Sequence, residues 1–381
     1  MSVLFLESGS NATFDLKFWS GTIGAGTVTS DTAHPIAGPR SIKCSTSGNT
    51  AYLQRDGALS SLVNTARFSA PLYLSALPAA DLDLMEGHFG TLSYKLAAYV
   101  QSDGTLKLVS GSTALGTGGS LSATTLTRLT VTANITSTTV YTVKLFKNGA
   151  EVISVTNGAT LENAGQAGLL SVGLILTSTL DLWFGSVYAD DDGSNTDPGG
   201  GAANFLVTAK RSVSNGAQNN FDSTNGIGSG YGTGRAPLVN ERALSESSDV
   251  IDTTSAGDQE NYTLEAASVG DVDLSGATLV ARSAWIWAKV DTASVAAKIM
   301  DNGTETDITL TTSPALYTKN TASASYPSNA AGVGMRGSTT ANTFLYECGT
   351  LIAYIPASGP PVLVEDGLTF QRVTSYRQIT P

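Results

Sequence analysis

The chain is poor in charge, in cysteine and in histidine, and each shortage excludes something. Charged residues fill 14% of its 381 positions, against roughly a quarter in ordinary globular chains. The net charge is −11 and no run of lysine and arginine occurs, which removes the electrostatic footprint of a nucleic-acid partner. Cys44 and Cys348 are the two cysteines. A pair this far apart makes neither a disulfide framework nor a zinc site. Each lies in an alternating apolar stretch, SIKCST and LYECGTLIAY, and reads as a buried thiol. His34 and His88 are the two histidines. That supply leaves no HExxH zinc motif and no histidine-based triad, and no serine stands in a G-x-S-x-G elbow. No apolar run approaches the ~20 residues of a membrane-spanning helix. The longest, AGLLSVGLILTSTLDLWF, is interrupted by Gly173 and by polar residues. MSVLFLESGS at the start has no basic region and no cleavage site, so no secretory signal is expected.

Gly, Ser, Thr and Ala take the place of the missing charge, and hydrophobic residues at 41% suffice for real cores. The apolar pattern has period two. TLKLVSGS (105–112), LTRLTVTANI (126–135), VYTVKLF (140–146) and TLDLWFGSVYA (179–189) alternate or are rich in β-formers, and Gly, Asn and Ser bound them. SALPAADLDLMEG (75–87) is the best short helix candidate. Strands every ~8–12 residues predict sandwiches or barrels. Asn148-Gly149 and Asn302-Gly303 supply the two positive-φ residues of type I′ hairpins. Each half then closes on a strand with a central glycine, Gly185 or Gly349, the first read as a bulge. The shared order of features points to two related sandwiches, a duplication. The predicted fold is all-β: two tandem antiparallel jelly-roll sandwiches, residues 1–192 and 204–356, joined by an Asp/Gly/Pro linker at 193–203. A short extended arm follows at 357–381, after the double proline at 360–361.

In the first half several stretches follow one another in order: FLESGSNATFDLKFWSG, AGPRSIKCSTSGNTAYLQRD, ARFSAPLYLSALP, SYKLAAYVQSDGTLKLVSGS, VKLFKNGAEV and LDLWFGSVYADD. This half resembles the laminin-G/concanavalin-like jelly rolls of bacteriophage virion proteins, over about residues 3–192. The second half, with NYTLEAASVG, TLVARSAWIWAKVD and LYECGTLIAYIP, is similar to other sandwiches of phage structural proteins. The resemblance implies a virion component, made in the host cytoplasm, on a capsid, tail or fibre. Its implied partners are other virion proteins, copies of itself and host-surface glycans.

The candidate chemistry is sparse. Asp190, Asp192 and Asp197 offer carboxylates around DDDGSNTDPGGG, and sandwiches of the resembled kind sometimes bind calcium at a rim. The stretch lacks the Gly-at-six, Glu-at-twelve calcium pattern, and an acidic Gly-rich run reads more simply as a solvated linker. No other cofactor is expected. Asp81, Asp83, Glu86 and His88 gather in ADLDLMEGH. On an unbroken strand Asp81 and Asp83 would take one face and Glu86 and His88 the other, which divides the cluster. GVGMRG (332–337) matches G-x-G-x-x-G but leads into a strand pattern, so a dinucleotide loop is not expected. Trp285 and Trp287 share one strand face, as a glycan-stacking platform or as core. Val3, Leu4 and Phe5 at the start and Val362, Leu363, Val364, Phe370 and Tyr376 in the arm are candidate assembly contacts by strand addition. The expected function is a non-enzymatic virion structural protein. A carbohydrate-binding adhesion module and a polysaccharide-degrading enzyme are the alternatives.

Overall fold

A computed structural model describes residues 2–9, 16–202, 204–219, 221, 251–253, 257–270, 272–322, 325–327, 332–337 and 341–357. The arm residues Val362, Leu363, Val364, Phe370 and Tyr376 lie outside the described residues. Among the described residues no helix is long and apolar enough to cross a membrane, and the predicted short helix at 75–87 is instead a turn leading into a strand.

The first half is built from β1 (Val3–Glu7), β2 (Gly21–Ile23), β3 (Thr27–Asp31), β4 (Ser41–Ser45), β5 (Asn49–Asp56), β6 (Thr65–Leu74), β7 (Leu82–Phe89) and β8 (Tyr94–Val100). It continues with β9 (Thr105–Ser110), β10 (Thr113–Ser120), β11 (Thr127–Ile135), β12 (Tyr141–Lys147), β13 (Ala150–Thr156), β14 (Leu169–Ser178), β15 (Asp181–Phe184) and β16 (Val187–Asp190). Two antiparallel sheets face each other. Sheet I runs β13-β12-β11-β6-β15-β4-β3, with β16 on β6 and β1 on β16; sheet II runs β10-β9-β8-β7-β14-β5-β2. Alternate residues point inward, as a pleated strand requires. Phe68, Leu129 and Val131 of sheet I meet Leu96, Leu108 and Val172 of sheet II in one core.

The second half uses β17 (Leu206–Asn219), β18 (Ile251–Thr253), β19 (Gln259–Leu264), β20 (Thr278–Val290), β21 (Val295–Asp301), β22 (Thr304–Leu310), β23 (Ala315–Thr321), β24 (Val333–Arg336) and β25 (Thr343–Ile355). The long β17 belongs to two layers. Its first part, Leu206 to Arg211, pairs with β25, and from Ser212 it pairs with β19. One layer is therefore β17-β25-β20-β23 and the other β17-β19-β24-β21-β22, closed over Ile286, Ile299, Met335 and Leu345. Both sandwiches are as the sequence predicts. Asn148 and Gly149 have φ of 49° and 82°, and Asn302 and Gly303 of 48° and 78°, the geometry of type I′ turns. Gly332 and Gly337 flank β24 and Gly334 lies within it, so the GVGMRG stretch is a strand and no phosphate loop forms there. Gly185 is not a bulge within one strand. The chain breaks there into β15 and β16, and Ser186 takes φ of 54°.

The two halves share a hydrophobic core. Ala284, Ile286 and Ala288 of β20 face the second sandwich, whereas Trp285 and Trp287 face the first. Phe18 meets Trp285 edge-on at 5.8 Å, Lys17 lies 5.1 Å over Trp287, and Asn320 donates to the Leu4 carbonyl at 2.8 Å. This settles one open alternative in favour of the core and corrects one expectation. Trp285 and Trp287 are 3% and 7% exposed, so neither offers a face to a sugar. Val3 and Phe5 pair with β16, with Leu4 left over between them, and β1 packs against the second half; the three residues join two halves of one chain.

Candidate functional site

The acidic stretch is not a metal centre. Arg67 projects from β6 and its Nε donates to both Asp190 carboxylate oxygens, at 2.9 and 3.2 Å. Tyr188 donates to Asp190 at 2.6 Å, and Asp192 lies 3.2 Å from the same guanidinium. Burial, and then the Asp190 charge, pushes the Tyr188 hydroxyl up. Arg128 of β11 grips Asp197 in the two-pronged manner, at 2.6 and 2.9 Å, and Thr130 adds a third donor at 3.0 Å. Asp190 is 0% and Asp197 4% exposed. A cation at Asp190, Asp192 and Asp197 would have to displace two arginines, so the expected calcium ligands are ion-pair partners. Among the described residues no group of three or more His, Cys, Asp and Glu could hold a metal ion. The linker is held rather than loose: Asp197, Pro198 and Gly199 are buried on the outward face of sheet I, while Ser194, Thr196, Gly200 and Gly201 stay exposed.

The polar cluster that the structure does assemble lies on the outward face of sheet II. β7 carries a bulge. Asp83 pairs with Tyr99 of β8, but Met85 pairs with Ala98 and Glu86 with Ala97, leaving Leu84 over. Leu84 and Met85 both enter the core at 0% exposure. The extra residue shifts the alternation by one. Asp83, Glu86 and His88 consequently share one face, against the division that period-two counting predicts.

Register extends this cluster into a trough. Gln54, Ser171, Glu86, Ala97 and Val109 stand in one row across β5, β14, β7, β8 and β9. Four inter-strand spacings make that row about 19 Å long. Its side chains are mostly small, and Ser171, Ala97 and Val109 are buried. Tyr52, Tyr99 and Lys107, half-buried, form one wall with Asp83; half-buried His88 and Lys95 form the other. Gly173 keeps the floor low beside Tyr52. Its φ is 138°, and a Cβ there would sit 2.7 Å from the Tyr52 Cα.

The electrostatics of the trough are divided. Glu86 accepts from His88 Nε2 at 2.7 Å and pairs with Lys95 at 2.8 Å. Burial alone would raise its carboxyl, but these two partners outweigh burial and hold it at about 2. Asp83 is 1% exposed. Neither of its oxygens has a hydrogen bond of standard geometry, although Glu86, Lys95 and Tyr99 lie near enough to shape its titration. Burial first, and the Glu86 charge next, push it well above the carboxylate range. His88 Nδ1 is also buried without a hydrogen-bond partner. Tyr99 and Tyr52 are both pushed up by burial and then by the two carboxylates, so their hydroxyls stay protonated. Two neighbouring carboxyls with titrations driven apart make this cluster the polar centre of the outward face of sheet II. The sequence gathered four chemistry-bearing residues within ADLDLMEGH.

No family model matches the chain, and no curated protein does. Among solved structures it is similar to an endo-β-1,4-glucuronan lyase from the fungus Trichoderma reesei, with a TM-score of 0.37 and 14% identity over 51% of this chain and 98% of that one. It is similar to the cellulose-induced protein Cip1, with a TM-score of 0.33 and 16% identity over 44% of this chain and 86% of that one. It is also similar to a carbohydrate esterase of the Shiga toxin-encoding bacteriophage phi24B, with a TM-score of 0.35 and 15% identity over 49% of this chain and all of that one. These scores are low, and nothing of the neighbours' fold or chemistry is carried over to this chain.

Proposed function

We propose that the protein is a non-enzymatic structural component of a bacteriophage particle that engages a glycan through the trough of sheet II. The observation that carries the glycan reading is the polar cluster of Asp83, Glu86 and His88 on the outward face of sheet II, beside the half-buried Tyr52 and Tyr99. Tyr rings offer apolar faces to sugar C–H groups and a polar tip to their hydroxyls. Binding is favoured over cleavage by the placement of the carboxyls. Asp83 and Glu86 stand side by side on β7, whereas glycoside hydrolysis needs two carboxyls facing each other across the sugar, ~5–10 Å apart. The particle setting rests on the resemblance of the sequence to virion sandwiches, and the shared core of the two halves suits a rigid mount. Attachment to neighbouring subunits is assigned to residues 362–381.

The test is a glycan array probed with the full chain and with Tyr99→Ala. Wild type should bind a defined set of glycans without releasing new reducing ends, and the variant should lose the signal. A folded wild-type chain that binds nothing removes the glycan reading. Deleting residues 362–381 should abolish incorporation into particles with the thermal transition unchanged; retained incorporation removes the arm's role.

A further inference from the structure

The charge balance of the trough points to the class of glycan, an inference that rests on the glycan reading above. Both lysines that reach the trough already hold a carboxylate. Lys95 pairs with Glu86 at 2.8 Å, and Lys107 with Asp81 at 2.9 Å. Glu162 adds a further negative charge near Lys95. A ligand carboxylate would have to displace Glu86 or Asp81 from its lysine, or sit against both. It would do so on a chain of net charge −11. Like-charge placement of that kind selects strongly against a partner. A ligand ammonium meets the opposite difficulty, because Lys95 already occupies the position beside Glu86. The groups left at the surface to recognise a ligand are the half-buried Tyr52, Tyr99 and Gln54, with Asp83, Ser171 and His88 Nδ1 buried beneath them. Burial, and then the Glu86 charge, push the Asp83 carboxyl well above the carboxylate range.

We infer that the trough takes a linear glycan of uncharged pyranose units, laid across β5, β14, β7, β8 and β9, and discriminates against uronic acids and amino sugars. The row of small side chains runs in that direction, and its length of about 19 Å holds several sugar units in file. Specificity comes from neutral hydrogen bonds to hydroxyls and from the two tyrosine faces, so salt has little to screen.

The experiment is titration calorimetry on the full chain with three kinds of hexasaccharide. The neutral probes are hexamers of β-1,4-glucose, β-1,4-mannose and β-1,4-galactose; the anionic probe is a hexamer of galacturonic acid; the cationic probe is a hexamer of glucosamine. A neutral hexamer should bind at least about tenfold more tightly than either charged one. Its affinity should change by less than about twofold between 50 and 500 mM NaCl. Tyr99→Ala, on a half-buried wall position, should weaken it by about tenfold or more, with Tyr99→Phe separating loss of the ring from loss of the hydroxyl. Tighter binding of a charged hexamer, lost as salt is added, overturns the inference while leaving a glycan-binding trough in place. Failure of all the hexamers to bind a natively folded chain overturns the glycan reading itself.

Discussion

Asp197→Ala should destabilise the protein far more than removal of a comparable carboxylate at the surface. Arg128 and Asp197 have side chains only 2% and 1% exposed. Removing the carboxylate leaves the guanidinium buried with the Thr130 and Ser69 hydroxyls, at 2.9 and 3.3 Å, and with no counter-charge at that end. It also strips the Gly199 N–H of its acceptor, which lies at 3.0 Å. Breaking one side of a buried ion pair costs about 3–5 kcal/mol. Lys43 and Asp181 form the control, at 2.9 Å with side chains 25% and 29% exposed. Asp181→Ala should cost about 0–1 kcal/mol. For a unit of this size 1 kcal/mol moves Tm by roughly 2–4 °C, so the shifts should be roughly 6–20 °C against 4 °C or less. Calorimetry at pH 7, with urea unfolding for the free energies, reads both. The double variant Arg128→Met/Asp197→Leu should recover most of the loss, because the large term is the stranded charge and not the pair's net worth. Equal, small effects at the two sites would refute the reasoning. The linker would then be loosely held on sheet I, with only the shared core fixing the second sandwich.

Three further outcomes follow from the same structure. Glu86 is held at about 2 against an ordinary 4.5, so the stability it supplies is complete above 4.5 and is lost as pH falls from 4.5 through 2. Asp83 works in the other direction: its raised titration means stability declines as pH rises past its ordinary 3.8. Urea midpoints against pH should show a flatter acid limb in Glu86→Gln and higher stability at pH 7 in Asp83→Asn; unchanged profiles would remove the cluster's electrostatics. Trp285→Ala should cost about 3–5 kcal/mol and split unfolding into two calorimetric transitions, since Trp285 faces Phe18 across the shared core; a single unshifted transition would mean the halves do not stabilise each other. Cys44 and Cys348, both fully buried with thiols pushed up by desolvation, should ignore a disulfide reagent in the native state and react together on unfolding in urea.

What could be read in advance was whatever depends on neighbours in sequence. The Asn-Gly turns need only two adjacent residues with positive φ. Period two told which residues of β20 share a face, so Trp285 and Trp287 were correctly placed together. It did not tell what covers that face, because Phe18 and Lys17 stand more than 250 positions away in sequence. The ion pairs of the acidic stretch were hidden for a related reason. DDDGSNTDPGGG has the composition of a solvated stretch, and its two arginine partners sit in β6 and β11, where nothing local announces them.

The trough failed to show itself for a different reason, and it is the more instructive one. Counting faces by twos assumes an unbroken strand, and a single extra residue inverts the result for everything beyond it. At Leu84 the cost of the bulge is met by burial: Leu82, Leu84 and Met85 all enter the core, at 1%, 0% and 0% exposure. An unbroken strand with Leu82 and Leu84 inward would turn Met85 outward and leave Glu86 and His88 facing the core. Two ionisable side chains directed into an apolar core would cost far more than one unpaired residue in the ladder. The signature was therefore present as a conflict of phase. LDL demands one register and MEGHF demands the other, and a bulge between them is the cheapest structure that satisfies both. The same step that rescues the core brings Asp83 onto the face of Glu86 and His88, so the polar cluster is a direct consequence of how this strand resolves its hydrophobic pattern.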